Sequence, residues 1–252
     1  MIRFLIAAFV WLLFGLPASA AFVQGTSNNS AGTSVASLTL TLGAGVTTGN
    51  CVWGIVTTIS VGGTTMTATL GGVSMTVMDA LPVAGPNVES WSFILGNVSG
   101  APTSLVFTPG ASGPLAAIAI EESGCAALAN PTDVHTAQTQ VVSVTGANSL
   151  TSGNVTTTVA NDIIVGAAMN TGGTGAPTVG TSPLAFTLRN TTTFDTFAPV
   201  VTEDNVVLAS PGTAAATFGT SATQTYNAYV IAIKPLVVGH TTQDMTVLGV
   251  GR

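Results

Sequence analysis

Nowhere along the 252 residues does an apolar pattern of helical length recur with a 3.6-residue period. What recurs is period two, in roughly a dozen short runs at ~8–12-residue spacing, the pattern of a β-sandwich or barrel. Leu38, Leu40 and Leu42 alternate with Thr39 and Thr41, which puts leucines on one strand face and hydroxyls on the other. Cys51, Trp53, Ile55, Ile59 and Val61 share a face in the next run, followed by Met66, Ala68 and Leu70, by Trp91, Phe93 and Leu95, and by Leu105 and Phe107. Two runs do not alternate: LAAIAI from Leu115 and IIVGAAM from Ile163 are near-continuously apolar, as strands buried on both faces are. Glycine- and proline-bearing turns, including Gly71-Gly72, the loop Pro82 to Pro86 and Pro109-Gly110, separate the runs.

Composition supports the same reading. Charged residues are 6% of the chain against about a quarter in ordinary soluble proteins, while 46% is hydrophobic, enough for a sizeable core. Threonine and valine are β-branched, stiff at χ1 and suited to pleated sheet. The net charge is −6 with only four Lys plus Arg, and two of those, Arg3 and Arg252, sit near the chain ends. Nucleic acid is held by basic side chains on phosphates, so nucleic-acid partners are excluded, as is a polybasic contact with anionic lipid.

Residues 1–20 read as a signal peptide. Arg3 precedes an apolar core from Phe4 to Leu16, Pro17 breaks it, and Ala18-Ser19-Ala20 forms an A-x-A cleavage site. At ~1.5 Å per residue that core spans roughly 20 Å, short of a ~30 Å hydrocarbon layer. Export by the general secretory route follows, with an extracellular or cell-surface location and no membrane association after cleavage. Residues 21–235 then form one β-sandwich domain, and residues 236–252, which contain His240, form a tail or edge strand. The chain has two cysteines, Cys51 at the start of a core strand and Cys125 just past the end of another. In an oxidising compartment they are candidates for a disulfide; two buried free thiols are the alternative.

There is a short internal echo. Val46-Thr-Thr-Gly-Asn50 before CVWG resembles Thr158-Val-Ala-Asn-Asp162 before IIVG, each a polar turn ahead of a core strand. Two such halves would suit a double-Greek-key jelly roll.

The stretches AFVQGTSNNSAGTSVASLTLTL, TTGN, WSFILGNVSGAPTSLVFTPG, IAIEESG with NPTDV, SGNVTTTVANDIIVGAA, TEDNVV and YVIAIKP resemble a group of uncharacterised bacterial and phage-encoded β-sandwich proteins. That group is likened to concanavalin-type lectins and glucanases. The resemblance covers roughly residues 21–235 and implies a jelly-roll sandwich without implying an activity. Glu121 matches the group's glutamate before Ser-Gly; Glu122 stands where an aromatic is usual, and LGGVSM replaces an Asp-Ser-x-Gly-Asn turn.

Candidate chemistry is sparse. Glu121 and Glu122 are adjacent on a strand and point to opposite faces, so they cannot flank one scissile bond as the ~5–9.5 Å carboxylate pair of a glycosidase does. One of them is expected to satisfy loop amides near Ser123-Gly124. Asp133 and His135 could offer two ligands on one strand face, and Glu203-Asp204 could contribute to a calcium site, but hard cations want six or more oxygens and no dense acidic loop supplies them. No G-x-S-x-G elbow accompanies His135 or His240, and the Gly172–Gly175 loop lacks the lysine of a phosphate-binding loop. Trp53 and Trp91 sit on apolar strand faces, which favours packing over stacking on sugars.

The sequence therefore reads as an exported all-β protein, a single jelly-roll sandwich of about a dozen short antiparallel strands. Its expected role is structural or adhesive and non-enzymatic, at a cell or particle surface, without cofactor or metal. Glycoside hydrolysis is the one enzyme class worth testing. A carbohydrate-binding, lectin-like domain and a phage virion surface component are the alternatives. A glycan or a surface protein are the candidate partners, oligomers are compatible, and Glu121, Glu122, Asp133, Glu203 and Asp204 are the candidate binding residues.

Overall fold

A computed structural model describes residues 21–59, 64–81, 88–171, 173, 175–194 and 197–237. The expected signal peptide, the loop at 82–87 and the tail beyond 237 lie outside the described residues. The first half comprises β1 (Ala21–Asn29), β2 (Leu38–Thr41), β3 (Cys51–Ile59), β4 (Met66–Leu70), β5 (Val73–Ser74), β6 (Thr76–Leu81), β7 (Val88–Leu95), β8 (Ser104–Pro109) and β9 (Leu115–Ser123). The second comprises β10 (Thr132–Val141), β11 (Gly146–Thr151), β12 (Val155–Thr156), β13 (Asp162–Asn170), β14 (Thr178–Val179), β15 (Thr187–Phe194), β16 (Phe197–Leu208), β17 (Thr213–Ala214), β18 (Thr217–Thr220) and β19 (Thr225–Ile233). The all-β sandwich reading holds, with more strands than the dozen the sequence suggested: several are two-residue pieces that no periodicity can reveal.

Every strand pairing is antiparallel, and the halves share one topology. The first half has a five-stranded sheet in the order β1-β9-β3-β7-β6, and the second has β10-β19-β13-β16-β15. Opposite them lie β2-β8-β4-β5 and β11-β18-β14, with β12-β17 as a separate short pair. Apart from β5, β12 and β17, substituting each first-half strand by its counterpart reproduces the order, so the single sandwich expected from the sequence is a jelly roll used twice. Strands β3 and β13, the counterparts reached by the VTTGN and TVAND turns, occupy the middle of the two large sheets. In the first half β5 pairs with β4 while β6 pairs with β7, so the chain crosses between sheets at Met75, whose N–H still bonds the Ala68 carbonyl at 2.9 Å.

The apolar residues fall into three layers. Leu40, Val52, Val56, Phe93, Phe107 and Ala117 pack between the first half's two sheets. Leu150, Ile164, Phe218, Tyr226 and Val230 pack between those of the second. Trp53, Ile55, Ile118, Ile120, Val165, Tyr229 and Ile231 fill a layer where the two five-stranded sheets face each other. That stacking is why LAAIAI and IIVGAAM do not alternate: every residue of Leu115–Ile120 and of Asp162–Asn170 is buried. Alternation survives in the outer sheets, as in β2 with its buried–exposed–buried–exposed order. Strands β3 and β7, which the sequence suggested as one-faced, instead lie in the first half's large sheet and are buried on both faces.

A segment at 124–131 joins the halves and is fastened at several points. Cys125 is disulfide-bonded to Cys51, with Cα atoms 6.0 Å apart, and forms an isolated bridge with Pro235. Ala126 N–H donates to the Lys234 carbonyl at 2.8 Å, and Lys234 N–H donates to Pro131 O at 2.8 Å. Gly96, at the end of β7, lies so close that a Cβ there would sit 2.3 Å from Leu128 O and 2.7 Å from Pro131 Cδ.

Candidate functional site

The two glutamates at the end of β9 do face opposite ways, and both are buried. Glu121 turns toward the 43–50 turn. Its Oε1 accepts the Thr47 N–H at 2.9 Å and Asn50 Nδ2 at 2.6 Å, and its Oε2 accepts Gln24 Nε2 at 2.6 Å. The carboxyl thus does satisfy loop amides, but those of the turn before β3 rather than of Ser123-Gly124. Cross-strand pairing explains the difference, since Glu121 lies opposite Val52 on one side and Gln24 on the other, at the level where that turn enters the sheet.

Glu122 points into the middle layer and meets Asp204 of β16, so the structure brings together two acids that are 82 positions apart in sequence numbering. Arg189 of β15 pairs through Nε with Asp204 Oδ1 and lays its guanidinium 4.5 Å from the centroid of the Phe22 ring. Trp53 Nε1 approaches Glu122 Oε1 at 3.5 Å. Burial, followed by the hydrogen bond and like charge of Asp204, pushes Glu122 up to about 9, against the weaker opposing pull of Trp53 and Arg189. Glu122 is therefore a neutral acid at pH 7, hydrogen-bonded to the Asp204 side chain. Two acids share one guanidinium and one proton, which balances the charge of a site whose carboxyls are buried while the Arg189 side chain is partly exposed.

The neighbouring Glu203 faces the other way, into the second half. Its Oε2 accepts the Gly180 N–H at 2.9 Å, while Oε1 has no partner. Burial raises it to about 8 despite the backbone N–H groups of Gly180 and Thr217, so it too is protonated near neutrality. Glu203 and Asp204 accordingly point to opposite faces of β16 and do not converge on one cation.

Asp133 and His135 are also separated. The register slips between Thr132 and Val134, which takes Asp133 out of the ladder. Asp133 receives the Thr158 N–H and the Thr158 hydroxyl, each at 2.5 Å, and Lys234 Nζ stands 3.8 Å from its Oδ1. Desolvation raises its pKa, but the Thr158 bonds, Asp162 and Lys234 together outweigh that and hold it below the usual carboxylate range. Buried Asp162 faces Asp133 with neither oxygen partnered by an ordinary donor, and burial with the Asp133 bond and charge raises it to about 7. His135 instead pairs through Nδ1 with Asp79 Oδ2 at 2.9 Å, tying β10 to β6.

Trp53, Trp91, Tyr226 and Tyr229 are all buried, so none presents a stacking face. Tyr229 OH bonds Ser90 Oγ, and Asn227 Nδ2 donates to Ser90 Oγ at 2.8 Å, a polar tie across the two large sheets. Surface depressions of about 380 Å³, around Gln140–Ser149, and about 300 Å³, around Leu70, Val73, Asn97 and Pro102, have no ionisable side chain among their lining residues. The acids are thus distributed as internal fastenings rather than gathered in a cleft. Sequence reading missed Arg189, Asp162 and Lys234 as partners. Two signals were present: Lys234 is the chain's sole lysine, and Asp162 directly precedes a doubly buried run.

No family model matches the chain, and no curated protein matches it in sequence. Among solved structures, the major capsid protein P2 from bacteriophage PM2 is similar at 13% identity and a TM-score of 0.26, over 88% of this chain and 98% of that one.

Proposed function

We propose that the chain is an exported, non-enzymatic β-module with a structural or adhesive role at a cell or particle surface. The observation that carries this reading is the placement of its acids. Glu121, Glu122, Asp162, Glu203 and Asp204 are buried and turned inward onto turn amides, an arginine or each other. A glycoside hydrolase normally needs an acid and a second carboxylate facing one cleft, whereas these side chains are buried inside the fold, and the two that meet, Glu122 and Asp204, are packed against each other. A lectin-like reading loses support for a related reason, because the large aromatics that would stack on sugar rings are packed inside. The outward strand positions are largely uncharged: Thr39, Thr41, Thr67 and Thr108 are exposed on the outer sheet of the first half.

The test pairs a polysaccharide-hydrolysis panel with a glycan array, using the purified exported protein. The expected result is no turnover and no selective glycan binding. Hydrolysis abolished by Glu121→Gln or Glu122→Gln without loss of folding would replace this reading with an enzymatic one, and tight binding to one glycan class would replace it with the lectin reading. Gradient sedimentation of culture medium separates a particle-borne module from a free one.

A further inference from the structure

We propose that Lys234 and Asp133 become joined by an intramolecular amide bond, with the Asp162 carboxyl as the acid that assists its formation. The proposal goes beyond the structural role above and does not depend on export. The chain contains a single lysine, and although its side chain is about a third exposed, its amine stands beside the buried side chain of Asp133. Its backbone is held on both sides of the peptide, by Ala126 N–H on its carbonyl and by its own N–H on Pro131 O, each at 2.8 Å. From that fixed point Nζ reaches to 3.8 Å from Asp133 Oδ1, and the Asp133 side chain is only 2% exposed. Holding the reacting groups this way converts a slow bimolecular condensation into an intramolecular one.

The surroundings of Asp133 fit the reaction. When the amine adds to the Asp133 carboxyl carbon, negative charge builds on the carboxyl oxygens, and the Thr158 N–H and hydroxyl are aimed at them from 2.5 Å. A departing oxygen needs a proton, and Asp162, wholly buried and without an ordinary donor on either oxygen, faces Asp133 with one to give. Its raised pKa of about 7 keeps that proton in place in acidic solution and on about half of the molecules at pH 7. Among the described residues, the charged groups acting on Asp162 are Asp133 and Lys234.

The step balances without any oxidant or co-reactant. The ammonium first passes a proton to the Asp133 carboxylate, which frees the nitrogen lone pair; the nitrogen then bonds to the Asp133 carboxyl carbon, and one carbon–oxygen bond of Asp133 breaks. The departing oxygen, already carrying that proton, takes another from Asp162 and leaves as water. A second proton passes from the nitrogen to Asp162 and restores it. An ammonium and a carboxylate have become an amide and one water. The bond would tie β10 to the end of β19, the first and last strands of the second half, next to the disulfide that already fixes the linker.

Intact-mass measurement of the purified, reduced and denatured full chain tests the proposal, with its N-terminus established by sequencing. The expected mass is one water below that of the sequence. A protease cutting after large apolar residues should release a branched peptide joining the segments that hold Asp133 and Lys234. Lys234→Arg and Asp162→Ala should each restore the full mass and abolish the branched peptide. A wild-type chain of full mass overturns the proposal even if the variants fail to fold, and so does a water lost without the branched peptide. A cross-link that persists in Asp162→Ala overturns the role given to Asp162.

Discussion

Replacing Glu122 with glutamine should make the protein more stable at neutral pH and less sensitive to alkali. In the native state Glu122 is raised from 4.5 to about 9, so between those values the folded chain holds a proton that the unfolded chain has released. Each pH unit upward in that window favours unfolding by about 1.4 kcal/mol per such proton. From pH 5 to pH 7 this one residue is expected to lower stability by about 3 kcal/mol. A glutamine carries no ionisable proton, and its amide N–H can still donate to the Asp204 side chain. Glu122→Gln should therefore lie within about 1 kcal/mol of wild type at pH 5 and exceed it by about 3 kcal/mol at pH 7. Urea unfolding of both proteins at pH 5, 6, 7 and 8, followed by tryptophan fluorescence, measures the difference directly. A wild-type stability that is flat or rises over that range, or a variant with the wild-type slope, would refute the shared-proton account of the Glu122–Asp204 pair.

Other expectations follow from the same contacts. Glu203→Gln should flatten a further part of the alkaline decline, because Glu203 is raised to about 8 and loses its proton in the same window, readable in the same urea series. Replacing Cys51 and Cys125 with alanine opens a link with a sequence separation of 74, which should cost about 4 kcal/mol on the chain-entropy estimate, seen as a lower urea midpoint. Gly96→Ala must push against Leu128 O and Pro131, and should cost about 1–3 kcal/mol in the same assay.

How far the sequence could be read depends on which contacts are local. Alternation in LTLTL and the apolar continuity of LAAIAI are properties of single strands, and both appear in the structure as an outer and an inner strand. The opposite facing of Glu121 and Glu122 follows from the pleat alone. Duplication was visible only as the VTTGN–TVAND echo, because two jelly rolls can share a strand order while their side chains diverge. Asp204 and Arg189 could not be assigned to Glu122, since that meeting depends on how the two large sheets face each other. Asp133 was grouped with His135 on alternation, and a bulge at that residue sent them to different partners. Arg189 and Lys234 illustrate the rest: in a chain with four basic residues each buried acid competes for few cations, and only the fold decides which acid receives one.

The central claim is that this chain is exported and serves as a structural or adhesive surface module. Fractionating producing cells into cytosol, envelope and medium, with N-terminal sequencing of the recovered chain, tests it most directly. The account expects the protein in the medium or at the cell surface, beginning at Ala21; a cytosolic chain that begins at Met1 would contradict it.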